Sequence, residues 1–263
     1  MASGLRKFWT VASKGFQQNL QYTASHLINT AASAVFGVIY IYLWKSVTPA
    51  QGFAGYSPLA VVQYITLNQT ILWLSQFSVR VHTRIADSVR SGNVATELMR
   101  PMDFFTYRMA AGLGSQVYSF VFRGLPVGLM LSPFGFYIPR NAVTWGWTLL
   151  SLVFAGYLGV LLSYLAGVTS FWTTEVRTAW WVVSTLSLGL GGASMPLEVF
   201  PAAIEKMARL SPFACLIFYP AKIYLEMEGP GLVWYGAFWS AVLTILARWM
   251  TAAGRRKLEV QGG

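Results

Sequence analysis

Chemistry in this chain is concentrated in one polar interval. Residues 84–103 read RIADSVRSGNVATELMRPMD, setting Arg84, Arg90 and Arg100 against Asp87, Glu97 and Asp103 in a sequence that is 55% hydrophobic. Charge pairing and protein docking are what such an interval can do. Catalysis is not, because no cluster of catalytic residue types accompanies it. There is no G-x-x-x-x-G-K-[ST] run, so the chain does not hydrolyse nucleotide through a P-loop. H-E-x-x-H and paired-cysteine spacings are missing too, and His26 and His82 stand far apart, so no metal or cofactor of its own is expected. The single Cys215 excludes an internal disulfide framework.

The acids carry information by position. Asp87, Glu97, Asp103, Glu175, Glu198, Glu205, Glu226, Glu228 and Glu259 all fall in expected loops or span ends. Proton-driven transporters commonly hold a buried carboxylate or histidine relay in mid-membrane, and none is offered here. Arg123 is the one strong intramembrane charge, for which snorkelling or pairing inside the bundle is favoured over contact with substrate. His26 reads as a hydrogen-bonded residue near the end of the first span.

The elements that must position these groups are membrane helices. Mean hydropathy is +0.51, and charged residues make up only 11% of the chain, against about a quarter in soluble domains. Apolar residues gather in runs near the ~20 needed to cross ~30 Å of hydrocarbon. Six spans are expected, roughly 22–44, 58–79, 112–131, 142–172, 178–193 and 231–250, in a single all-α transmembrane domain over residues 1–263. The net charge of +10 reads as basic cytoplasmic loops rather than nucleic-acid binding. With both termini cytoplasmic, thirteen lysines and arginines fall inside and five outside, with Arg123 within a span.

Residues 1–21 place Leu5, Phe8, Trp9, Ala12, Phe16 and Leu20 at helical spacing, an amphipathic helix for the inner membrane interface, where Lys7 and Lys14 favour anionic lipid. Prolines at 196, 201, 212, 220 and 230 forbid one continuous helix across 194–230. Short re-entrant helices packed on the bundle are expected there, since irregular backbone is costly in lipid.

On this plan 80–108 is the first cytoplasmic loop. The second span continues as a helix past Val79, with Ile85 and Val89 apolar at i, i+4 and Arg84 and Asp87 paired at i, i+3. Gly92 ends it in the left-handed conformation. Asn93 caps a short helix, VATELM, that stops before Pro101. Val94, Leu98 and Met99 are expected to form an apolar knob beside Arg90, Glu97 and Arg100, a docking surface for a soluble protein.

These segments carry a resemblance. IADSVRSGNVATELMRPMD is similar to the I-R-x-G-x-[IV]-x-x-x-L-[LM]-R-P pattern in the cytoplasmic loop of type-two ABC exporter permeases, and GLGGASMPLEVFPAAIEKMARLSPF resembles their segment before the last span. The resemblance, covering nearly the whole chain, implies that the first loop is a coupling helix seated in an ATP-binding subunit. Gly92, Glu97, Leu98, Arg100 and Pro101 match the motif. It further implies two ATPase subunits holding Mg-ATP, a second permease (a copy or a relative), and the inner membrane of a prokaryote.

Two functions remain open. One is the permease of an ATP-driven exporter of hydrophobic or amphipathic cargo, a drug, lipid or peptide-like molecule. The other is an ATP-independent secondary transporter or channel. Trp73, Trp180 and Trp181 are available to line a cavity, although lipid anchoring suits them as well. Asn29, Asn68, Gln69, Ser184 and Ser187 are the polar groups expected to face the protein interior.

Overall fold

The computed structural model describes residues 2–75, 80–173 and 175–261. Its secondary structure is helical, with one isolated bridge between Phe53 and Tyr56. In chain order come α1 (Ala2–Gln17), α2 (Thr23–Val47), α3 (Pro58–Ser75), α4 (Val81–Arg90), α5 (Val94–Leu98), α6 (Phe104–Ser119) and α7 (Leu125–Leu131). Then follow α8 (Ala142–Val168), α9 (Val176–Leu190), α10 (Ala202–Leu210), α11 (Phe218–Tyr224) and α12 (Val233–Gln261).

Four helical runs among the described residues are long and apolar enough to cross a membrane: His26–Val47, Phe104–Phe134, Ala142–Phe171 and Pro230–Lys257. The expected second span is α3, whose Gln63, Asn68 and Gln69 dilute its apolar character. Val79, its expected end, lies outside the described residues. The expected fifth span is α9, whose 15 residues reach only ~22 Å at 1.5 Å each. The third run begins at Phe104, eight residues before the expected Gly112. There Asp103 caps the helix, its Oδ2 accepting from the Thr106 N–H at 3.1 Å. Pro126 lacks an N–H and crowds the carbonyl of Phe122. The helix absorbs this with a π turn over Phe120–Gly124 and continues.

Side-chain pairs fix the helix directions. Tyr157 meets Thr244 at 2.7 Å, and Tyr164 meets Thr251 at 2.5 Å. Both partners advance by seven residues, so α8 and α12 are parallel. Likewise α2 and the α6–α7 run are parallel: His26 meets Arg123, and Tyr42 lies 6.0 Å from Phe134 ring to ring. On α9, Trp180 lies against His82 while Gly192, just past its end, touches Tyr64. It therefore runs antiparallel to the α3–α4 path and returns the chain to the end from which α12 starts.

Close backbone approach lets these helices seat. A Cβ on Gly159 of α8 would strike the Ser75 carbonyl, and one on Gly114 of α6 the Ala12 carbonyl. The second contact lays amphipathic α1 along α6. Small residues at such crossings are how helices pack tightly in lipid, where burial of apolar surface supplies little drive.

Candidate functional site

The 80–108 segment is an arm anchored at its root. Ser163 Oγ of α8 accepts the His82 N–H at 3.2 Å and lies 3.0 Å from His82 Nδ1. Trp180 stacks on the imidazole at 4.2 Å. Burial, and then the Arg80 charge, push the His82 pKa down to about 4, so this anchor is neutral at physiological pH. Beyond it Ile85 is fully buried and Val89 packs on the core, while Arg84 and Asp87 face out. The expected Arg84–Asp87 ion pair is not formed among the described residues.

Gly92 takes φ +74° and turns the chain from α4 into α5, as its lack of a Cβ allows. Asn93 occupies the expected N-cap position, but its side chain makes no capping bond. Thr96 Oγ1 instead donates to the Asn93 carbonyl at 2.7 Å.

The expected apolar knob is corrected. Val94 is buried, Leu98 is half-buried against the core, and only Met99, 83% exposed, projects. Five residues hold little more than one helical turn, too few for periodicity to say which side meets the core. Glu97 turns inward to an ion pair with the buried Arg108 of α6, and Arg100 lies over the Tyr107 ring at 4.4 Å. Arg90, Gly92 and Pro101 remain exposed. The arm is thus a charged turn tipped by one methionine.

A second feature is a groove of about 440 Å³ between α2, α3 and the end of α9. It gathers Asn29, Gln69 and Trp73 from the expected pathway set, together with Phe36, Tyr40, Leu188, Ala193 and Ser194. Arg123 flanks it, 5.0 Å from the Trp73 ring and donating from Nε to His26 Nδ1 at 2.9 Å. His26 Nε2 faces the Asn19 carbonyl at 2.7 Å and so carries the ring hydrogen. Arg123 is therefore held within the bundle, as expected.

The remaining pathway residues are elsewhere. Asn68 is fully buried and donates to the Gly192 carbonyl at 2.8 Å, beside Tyr64 at 2.7 Å. Ser187 and Ser184 bond to their own helix at Val183 and Trp181. Trp180 braces His82, and Trp181 is 65% exposed. The groove and these five residues do not form one site.

The far end holds groups that sequence reasoning did not connect. Arg209 meets Glu205 at 2.8 Å, Glu198 at 3.0 Å and Glu228 at 3.0 Å, and Lys222 reaches Glu198 at 2.5 Å. This network ties α10, α11 and the Leu197–Val199 turn together. Glu226, at φ +55°, accepts from Tyr137 at 2.6 Å, from the backbone N–H of Arg140 and Asn141 at 3.1 Å each, and from Thr144 at 2.9 Å. These bonds, Tyr137's foremost, hold its carboxyl down at about 2. The only signal in sequence was an acid-rich segment broken by prolines.

Residues 21–262 match the family model described as ABC-2 family transporter protein. Neither a curated protein nor a solved structure matches the chain.

Proposed function

The chain belongs to the ABC-2 transporter family, and we propose that it is the six-pass permease of an ATP-driven exporter in a prokaryotic inner membrane. The family is a membrane transport component, and an ATP-binding partner subunit goes with it generally. In the proposed complex two such subunits, each holding Mg-ATP, work with this permease and a second one. Closure of the ATPase pair pushes the 84–101 arm. His82, locked between Ser163 and Trp180, carries that push into α8 and α9. The groove of α2, α3 and α9 then changes its exposure to hydrophobic or amphipathic cargo.

One observation carries this reading: an ordered helix–turn–helix arm presents Met99 at its tip while Glu97 is pinned to Arg108. A passive connector needs no such pinning. The parallel run of α8 and α12 supports six passes, because the chain must cross back between them and α9 is the helix that runs that way. The excess of basic residues at the arm's end supports a cytoplasmic placement of both termini. None of the acids falls within the four long apolar runs, which disfavours an ion-driven carrier.

Gentle solubilisation tests this. Wild-type protein should hold an ATP-binding subunit, and Met99→Asp should lose it while the chain stays folded. A well-folded chain with no such subunit in several mild detergents would overturn the proposal in favour of a secondary transporter.

A further inference from the structure

A cavity of about 600 Å³ lies between α1, the first turns of α6 and the root of the arm, within the usual range for ligand sites. Its lining brings in Lys14, Arg84, Arg100 and Arg108, and no acid. Only Arg108 is neutralised, by Glu97. The other three make no ion pair among the described residues. Arg108 is itself 7% exposed, and its Nε is buried without a partner among the described residues. Like charges gathered around one partly enclosed space raise each other's energy. An anion inside would relieve that crowding of charge. Thr10 and Gln18 supply further polar lining, while Val11, Val81 and Ala111 add apolar lining, one from each of α1, α4 and α6.

We propose that this cavity binds the phosphate of an anionic phospholipid of the inner leaflet, and so fastens α1 to the arm. The inference rests on the placement of α1 at the inner membrane surface. Trp9 and Leu5, each 62% exposed on α1, would sit in the interface beside the lipid. The apolar lining residues suit the glycerol and first methylenes, and the cations suit the phosphodiester charge. A nucleotide fits less well, because Tyr107, the aromatic ring of the lining, is already covered by Arg100. The family match begins at residue 21, so Thr10 and Lys14 of α1 and Gln18 just past its end lie outside it.

The test uses the purified full chain, stripped of lipid in mild detergent. Phosphatidylglycerol, phosphatidylcholine and inorganic phosphate are added separately. Native mass spectrometry reads retained lipid, and thermal unfolding reads stabilisation. Phosphatidylglycerol should bind about tenfold or more tightly than phosphatidylcholine and raise the unfolding midpoint. K14E and R100Q should each erase most of that preference. K7E makes the same charge change on α1 outside the cavity, and should alter it less than about twofold. An unchanged preference in both K14E and R100Q would overturn the site. An equal loss in K7E would reduce it to general surface attraction. Inorganic phosphate stabilising as strongly, with no lipid retained, would replace the lipid with a free anion. No readout requires the ATPase, so failure of the exporter reading and failure of this site are separately visible.

Discussion

Breaking the Glu97–Arg108 pair gives the sharpest energetic test of how the arm is built. The two side chains are 14% and 8% exposed, so the pair is nearly dry. Glu97→Ala leaves the guanidinium buried, with the Phe104 ring at 5.3 Å as remaining company. Orphaning one member of a buried pair costs ~3–5 kcal/mol. Glu97 keeps some solvent access and α5 can partly detach to let water in, so about 2–3 kcal/mol is expected. Arg108→Met removes the charge and keeps the bulk. Replacing both partners by apolar groups is often close to neutral, so the double variant should recover most of the loss. Denaturant titration in detergent of wild type, both single variants and the double variant reads the cycle. A loss below about 0.5 kcal/mol for Glu97→Ala, the range of an exposed pair, would refute the claim that this contact holds the arm.

Three further outcomes follow from the same geometry. An unfolded chain takes up a proton at His82 near pH 6.5, whereas the folded one resists until about pH 4. Stability should therefore be flat above pH 7 and fall between 6.5 and 4, by about 3 kcal/mol at 1.36 per unit. His82→Phe, which keeps the stack on Trp180, should flatten that fall, and an unchanged slope would contradict the assignment. Glu226, held at about 2, should keep its loop contacts down to pH 3 and release them only as pH drops further. Loop proteolysis should thus rise in Glu226→Ala at neutral pH, and in wild type only near pH 2. Gly159→Val sets a branched side chain against the Ser75 carbonyl and should cost ~1–3 kcal/mol. A neutral result there would dissolve the close α3–α8 contact.

Much of this was legible in sequence where the signal is local. Runs of ~20 apolar residues marked α2, α8 and α12, and Gly92 marked the turn between α4 and α5. Lys7, Lys14, Leu5 and Trp9 marked α1 as amphipathic. What depends on tertiary pairing was hidden. The start of the third run at Phe104 was masked by Arg108, a charge that reads as loop until Glu97 is seen beside it. A five-residue helix carries too little periodicity to show that Val94 faces the core. Asn68 looked like a pathway amide, yet it secures the Gly192 carbonyl, 124 residues away. The Arg209–Lys222 network joins acids on both sides of several prolines, a geometry that spacing cannot convey.

In the proposed complex Met99 touches an ATP-binding subunit. Met99→Cys offers a direct test, because the native Cys215 is buried and leaves the new thiol as the reactive one. A short thiol-reactive cross-linker is added to the membrane complex with and without nucleotide. A covalent adduct with an ATP-binding subunit is expected, its yield changing with nucleotide, and none from Lys206→Cys at the opposite end. No adduct from position 99 while the two proteins still co-purify, or an equal one from position 206, would contradict it.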